Sequence, residues 1–276
     1  MSLKDFKRID ANLDRSIYST NSRLSKSYDG ALVDLRSFYN ELYNLYGDGD
    51  LLPYYNLSKY NRLTHTKAEI DAISRSLYSD IVRDIDDDLK SVYVYTYDET
   101  MGVLSYESGV TVRGNVKIET LEKAYKTPVA GLTIDLRLEQ YEQDIARRIY
   151  QQMVIGSSQG YTPRQFSDSM KLVFKKNNSY IRRIVETESH RMQEQAKLDT
   201  MDRAESQGLD VYKTWISSRD SHVRASHRIL DGTTIKKDEL FTSPSGARGL
   251  SPGNMGSSDD DINCRCYLNI TTKKDK

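Results

Sequence analysis

The chain has 276 residues, of which 37% are hydrophobic and 29% charged, so it can form a core while keeping much of its length in water. Forty basic and forty acidic residues cancel, and whole-chain charge therefore gives no argument for a nucleic-acid or membrane partner. No apolar run approaches the roughly 20 residues of a membrane span, and two cysteines are too few for a secreted disulfide framework. We therefore expect synthesis in a reducing cytoplasm and no membrane partner.

Hydrophobic spacing predicts long amphipathic helices over most of the chain. Residues from about Leu3 to Tyr46 carry apolar side chains at helical spacing, and Gly47 interrupts the pattern. A second helix is predicted to begin at Thr66, whose hydroxyl would form a capping box with Glu69. The sequence VYVYTY that follows, from residue 92, fits either a helix or a strand, because it is rich in β-branched and aromatic residues.

Three further helices are predicted before the composition changes. The first carries Leu138, Tyr141, Ile145, Ile149 and Met153 at helical spacing. A capping box formed by Thr162 and Gln165 is expected at the start of the second. The third is expected from about Asn178 to Ser206, with Gly208 as its C-terminal stop.

Beyond Gly208 the chain is rich in β-forming residues, then in glycine and serine, and CRCYLNI is typical of a final strand. The predicted fold is mainly α, with long amphipathic helices followed by a small loop-rich α+β C-terminal module. The predicted domains are a long-helix region over 1–125, a helical region over 126–207 and the module over 208–276.

Two stretches of the module, RDSHVRASHRILDG (219–232) and INCRCYLNI (262–270), hold two of the four histidines and both cysteines. His222 and His227 are five residues apart, and Cys264 and Cys266 would complete a four-ligand zinc site. Two thiolates only two residues apart hold one ion poorly unless the backbone bends, however. His222 also lies in a polar run that is typical of an exposed turn.

Catalytic interpretations of the same residues are weaker. A thiol nucleophile needs a base and an oxyanion donor, and no surrounding sequence marks a nucleophile turn. A nuclease site would use Asp220, His222 and the run 259–261 as metal ligands, but the spacing of these residues matches no particular nuclease motif. A structural module without bound metal or cofactor is favoured, and the zinc site on His222, His227, Cys264 and Cys266 is kept as an alternative.

The structural interpretation assigns plain roles to the polar residues. Asp231 and Gly232 fit a tight turn that requires a positive φ. Asp220 or Asp231 is expected to pair with Arg224 or Arg265, because a guanidinium group matches a carboxylate through two hydrogen bonds.

Together these stretches resemble the C-terminal signature of the Mu F-like minor head proteins of tailed bacteriophages. The helix carrying Arg183, Thr187, Glu188 and Arg191 resembles the Thr-Glu helix of that family. The stretch PVAGLTIDLRL resembles its Gly-Leu-Thr element, so the resemblance covers about 127–270. The matching signature positions are Trp215, Asp220, Arg224, His227, Asp231, Gly232, Asn263, Cys264, Arg265 and Cys266.

The resemblance implies a fold and a role in phage heads. Members of the family are minor capsid components that associate with the portal protein and support procapsid assembly, genome delivery or both. It implies a non-enzymatic protein made in the host cytoplasm and placed inside the capsid near the portal, with scaffolding or major capsid protein as further partners. The alternatives are a DNA-binding ejection protein carried in the virion and, less favoured, a zinc-binding module or metal-dependent enzyme.

The segment KLVFKKNNSYIRR is where DNA contact is expected. Clustered positive charge neutralises phosphates without sequence preference, and Tyr180 is placed to stack on a base. An ordinary basic helical surface is the alternative. The predicted DNA-binding residues are Lys171, Lys175, Lys176, Arg182 and Arg183.

Overall fold

The computed structural model describes residues 2–49 and 51–272. The structure is 68% helical, and a small C-terminal module of antiparallel strands and short helices follows the long helices, so the predicted fold class is confirmed. The helices are α1 (Ser2–Tyr46), α2 (Tyr54–Leu57), α3 (Tyr60–Ser108), α4 (Ile118–Lys126), α5 (Ile134–Ser158), α6 (Pro163–Glu205), α7 (Ala225–Leu230) and α8 (Ser258–Asp261). The strands are β1 (Tyr212–Ile216), β2 (Thr234–Lys236), β3 (Phe241–Thr242), β4 (Arg248–Gly249) and β5 (Tyr267–Thr271). None of these helices combines the length and apolar character needed to cross a membrane.

The second long helix begins earlier than predicted. α3 starts at Tyr60, so Thr66 lies inside the helix, and its hydroxyl donates to the carbonyl of Arg62 at 2.8 Å. A capping residue lies at the helix end with non-helical backbone, so Thr66 cannot cap from inside the helix, and the prediction of a helix start there is wrong. The ambiguous segment 92–97 is also part of α3, where residues 92, 93, 96 and 97 are buried at helical spacing.

The predicted break before Asn178 does not exist, because α6 is one helix of 43 residues. The amide of Asn177 donates to the carbonyl of Val173 at 3.0 Å, so the asparagine pair is accommodated within the helix. The start of α6 agrees with the prediction. The backbone N–H of Thr162 donates to Oε1 of Gln165 at 2.8 Å, and the return bond from the N–H of Gln165 is 3.4 Å long.

Gly208 ends this helix as predicted. Its φ is +88°, and the N–H of Leu209 donates to the carbonyl of Ala204 at 3.2 Å. This is the arrangement in which a left-handed residue lets the following N–H satisfy a carbonyl of the last helical turn.

The module that follows contains a three-stranded antiparallel sheet in the order β2-β1-β5. Trp215 of β1 lies opposite Leu268 of β5, and Thr214 lies opposite Thr234 of β2. A separate pair of short strands, β3 and β4, forms the second sheet. β1 is therefore the central strand of the module.

The chain divides into two compact units whose segments alternate along the sequence. The first comprises the described residues within 1–19, 86–135 and 183–276, and the second comprises 20–85 and 136–182. In the second unit Tyr39 stacks on Phe166 with 4.1 Å between ring centroids, and its hydroxyl donates to the carbonyl of Tyr161 at 2.9 Å. The predicted division into 1–125, 126–207 and 208–276 stays a prediction.

Candidate functional site

The histidine and cysteine stretches meet around Trp215, in the first unit. The indole is fully buried on β1 and makes edge-to-face contacts with the rings of His227 and Phe241, each at 5.2 Å between centroids. Such contacts between rings stabilise a core in addition to the stabilisation that comes from burying their apolar surface. They hold the imidazole of His227 in one orientation.

His227, Cys264 and Cys266 form a buried cluster. Nδ1 of His227 lies 3.6 Å from Sγ of Cys264 and 3.4 Å from Sγ of Cys266. One donor atom from each residue lies within 4.8 Å of the other two, and all three residues are buried. The cluster has the donor atoms and spacing of a site for a thiophilic metal ion.

Asp260 holds the other side of the imidazole. Its Oδ1 lies 3.1 Å from Nε2 of His227, and its Oδ2 accepts hydrogen bonds from the hydroxyls of Ser243 at 3.2 Å and Ser245 at 2.8 Å. Burial opposes ionisation of this carboxyl, but the hydrogen bonds from the two serines and His227 lower its pKa. An ionised acceptor at Nε2 favours the neutral tautomer that carries its proton there, and in that tautomer the lone pair of Nδ1 faces the two thiols.

Sequence reasoning did not assign Asp260 this role. The run 259–261 was named only for a nuclease site, and among the described residues it does not group with Asp220 and His222 as metal ligands. Asp261 accepts the backbone N–H groups of Met255 at 2.7 Å and Ser257 at 3.1 Å. The only signal was an acidic run shortly before the cysteines.

The alternation of residues 264–266 explains how the two thiols converge. Cys264 and Cys266 are buried, whereas the side chain of Arg265 lies outside and pairs with Asp220 through two hydrogen bonds of 2.8 and 2.9 Å. Just before them, Asn263 adopts φ +55°, and its N–H donates to Oγ1 of Thr187 at 3.3 Å. Both sulfur atoms therefore face the same side of a segment that is anchored before and between them.

The other signature residues organise the turns of the module. The guanidinium of Arg224 donates to the carbonyl of Ile262 and pairs with no aspartate within hydrogen-bond distance in the described chain. Asp231 accepts the N–H of Ser217 at 2.8 Å and Nε of Arg219 at 2.9 Å.

Asp231 and Gly232 form the tight turn that was predicted. Asp231 has φ −55° and ψ 125°, Gly232 has φ +80°, and the N–H of Thr233 donates to the carbonyl of Leu230 at 2.9 Å. These angles are those of a type II turn, which requires a positive φ at its third residue.

His222 does not join the cluster. It is exposed, and its backbone N–H donates to Oδ1 of Asp220 at 2.8 Å. The carboxylate of Asp220 thus closes a local turn that carries the imidazole on the surface. The structure therefore brings together three of the four ligands predicted for zinc and leaves His222 apart.

A cleft of about 490 Å³ lies against this cluster, with Cys264 in its wall. Acidic side chains from two helices line it, those of Asp10, Asp14 and Glu186. His190 also lines the cleft, and burial lowers the pKa of its imidazole to about 4, so the ring is neutral near pH 7.

The five residues predicted to bind DNA all lie exposed on α6. Helical geometry places Lys171, Lys175 and Arg182 on one face and Lys176 and Arg183 on another. Lys171 pairs with Asp168 at 2.9 Å, and Arg182 donates to the hydroxyl of Ser25 at 2.8 Å. The first four positions belong to the second unit and Arg183 to the first.

Comparison with known proteins shows what the C-terminal part of the chain is similar to. Residues 142–269 match the family of Phage Mu protein F like proteins, which confirms the resemblance derived from the signature residues. The chain is also 28% identical over 268 residues to the protein named Minor head protein GP7 of Bacillus phage SPP1, a match covering 94% of this chain and 84% of that protein. No solved structure matches the chain at a significant level.

A second relative corrects one expectation. Over 139 residues, half of the chain, the sequence is 28% identical to a protein named NAD(+)--arginine ADP-ribosyltransferase EFV of Enterococcus faecalis. This match contradicts the prediction that the chain is not an enzyme, because half of the sequence is similar to a protein that is named as an enzyme. The match covers 28% of that relative, so its named activity is not carried over to this chain.

The same substitution, glycine to alanine, is expected to change the free energy of unfolding in opposite directions at the Asp231–Gly232 turn and inside a helix. A Cβ at position 232 would meet nothing within 4 Å, so Gly232→Ala isolates the strain of a positive φ and should lower the free energy of unfolding by about 1–2 kcal/mol. Gly102→Ala, inside α3 and equally unobstructed, should raise it by up to about 1 kcal/mol. Denaturant unfolding measures both, and equal effects of the two variants would contradict the turn assignment.

Proposed function

We propose that the chain is a phage minor head protein acting in head morphogenesis. The observation that carries this proposal is the match to the SPP1 minor head protein, which extends over 94% of this chain rather than over the C-terminal module alone. The long helices and the module are therefore proposed to work together in the head. The Mu F-like match over 142–269 supports the same role.

Within the head, the proposed partner is the portal protein. The protein would be made in the host cytoplasm, enter the assembling procapsid beside the portal, and support procapsid assembly, genome delivery or both. Scaffolding or major capsid protein are the further proposed partners. Long helices suit such docking, because an exposed apolar residue on a helix can insert between the side chains of a partner helix. Large exposed apolar side chains on the long helices are Tyr18, Val33, Leu45, Tyr106 and Leu172.

The direct test is co-purification with the portal protein of the same phage. The full chain and the portal protein, mixed at micromolar concentration and low salt, should elute as one complex of defined stoichiometry by size exclusion with light scattering. The portal protein of an unrelated phage serves as the control. Separate elution of the two proteins under these conditions would contradict portal docking.

The same measurement can locate the portal-binding surface. Val33→Glu and Leu172→Glu place a charge at apolar positions that are 63% and 66% exposed, so the fold should tolerate them. Ser179→Glu adds the same charge at an exposed position of α6 that was polar already. If these helix faces dock on the portal, the complex should not form with the first two variants and should form with the control.

DNA binding is the second candidate function, favoured by the five exposed basic residues of α6. If Lys175 and Lys176 contact phosphates, the Lys175→Ala/Lys176→Ala variant should weaken binding to any DNA sequence. The slope of log affinity against log salt should also fall by about 2, about 1 for each phosphate that is no longer neutralised. The control, Lys4→Ala/Lys7→Ala, removes the same charge from exposed positions on α1 and should leave the slope unchanged. Equal weakening in both variants would contradict a DNA surface on α6.

A further inference from the structure

We propose that His227, Cys264 and Cys266 bind one thiophilic divalent metal ion, with Zn²⁺ as the preferred occupant. This site lies beyond the proposed role in head morphogenesis and does not depend on it. The ligand set differs from the one the sequence indicated, because the exposed His222 is not a member.

The distances match a tetrahedral ion. With Zn–S near 2.3 Å and Zn–N near 2.0–2.1 Å, tetrahedral geometry separates the nitrogen and each sulfur by about 3.5–3.6 Å. The two Nδ1–Sγ distances in the structure are 3.6 and 3.4 Å. The imidazole nitrogen thus already lies at about the separation from each sulfur atom that a shared zinc ion would impose.

Hydrogen bonds and a metal ion are the two ways to satisfy this cluster. The two thiols hydrogen-bond to each other and both face Nδ1 of His227, whose single lone pair accepts one strong hydrogen bond. A cation bound by both thiolates and by that lone pair satisfies all three donor atoms at once. Thiolates and imidazole favour zinc, whereas Mg²⁺ and Ca²⁺ prefer oxygen ligands.

Asp260 provides the outer contact that metal-bound histidines usually have. Its carboxylate accepts the Nε2 proton of His227, which leaves Nδ1 free to bind the ion. Ser243 and Ser245 in turn fix the carboxylate. Three protein ligands leave one of the four positions of a zinc ion for water or a further ligand.

A Cys-x-Cys pair holds one ion poorly unless the backbone bends, and the backbone around 264–266 is bent in the required way. The bidentate pair of Arg265 with Asp220 holds the intervening residue outside, and the left-handed Asn263 turns the chain immediately before the first cysteine. Both thiols reach the same imidazole nitrogen as a result.

The test uses the full chain, purified under reducing conditions, stripped with a chelator and titrated with Zn²⁺ alone and with Co²⁺ alone. The expected result is one ion per chain, and thiolate-to-cobalt charge-transfer absorption in the cobalt-loaded protein. Zinc should also raise the Tm of the wild-type chain, because an ion that binds the native state stabilises it. The cobalt spectrum needs no variant and reads the thiolate ligands directly.

Variants assign the ligands. Cys264→Ser/Cys266→Ser should abolish stoichiometric binding, and Asp260→Asn should weaken it 10- to 100-fold, about the usual effect of removing an outer partner of a histidine ligand. His222→Ala is the matched control and should bind as the wild type does. Absence of ion binding by the wild-type chain, or of the charge-transfer band, would overturn the proposal. So would a Cys264–Cys266 disulfide in protein isolated under reducing conditions.

Discussion

The first unit depends on a helix segment that is polar in sequence and buried in the structure. Eight consecutive residues of α6, 187–194, are at most 4% exposed, and seven of them are polar. Because an unpaired charge inside a protein is strongly destabilising, every ionised group here requires a partner. Arg191 pairs with Glu188 at 2.8 Å, and Lys197 pairs with Glu194 at 2.6 Å, with both pairs fully buried.

These pairs also reach out of the helix and position its neighbours. Oε2 of Glu194 accepts the N–H of Leu268 on β5 at 2.8 Å, and Arg191 donates to the carbonyl of Ala124 at the end of α4 at 2.6 Å. Thr187 accepts the N–H of Asn263. The strand that follows the two cysteines and the turn that precedes them are thus both tied to α6. This anchoring places the two thiols opposite His227 before any ligand binds.

Sequence patterns predicted the elements that local chemistry determines. The capping box at Thr162, the stop at Gly208 and the turn at Asp231–Gly232 each depend on a few adjacent residues, and the structure contains all three. The helix start at Thr66 was wrong because the threonine hydroxyl bonds within the helix equally well. Local signals do not distinguish these two uses of the same side chain.

The candidate site was predictable only in part, because it is formed by contacts between residues distant in sequence. Spacing in the sequence predicted His227, Cys264 and Cys266 as zinc ligands. It also predicted His222, which the turn at Asp220 places on the surface. Asp260 lies 33 residues from His227, and nothing local marks it as the imidazole partner. The polar composition of 187–194 gives no sign of burial, and only the tertiary contacts show that these charges are paired inside the unit.

The central claim is that the segment 187–194 of α6 is buried with its charges paired, and a double-mutant cycle on Glu194 and Lys197 tests it most directly. Lys197→Met alone should lower the free energy of unfolding by about 3 kcal/mol or more, because it leaves a buried carboxylate without its partner. Adding Glu194→Gln should recover most of that loss, since the amide oxygen can still accept the N–H of Leu268. A small cost for Lys197→Met, below about 0.5 kcal/mol, with no coupling between the two positions, would mean that the pair is solvated and would contradict the account.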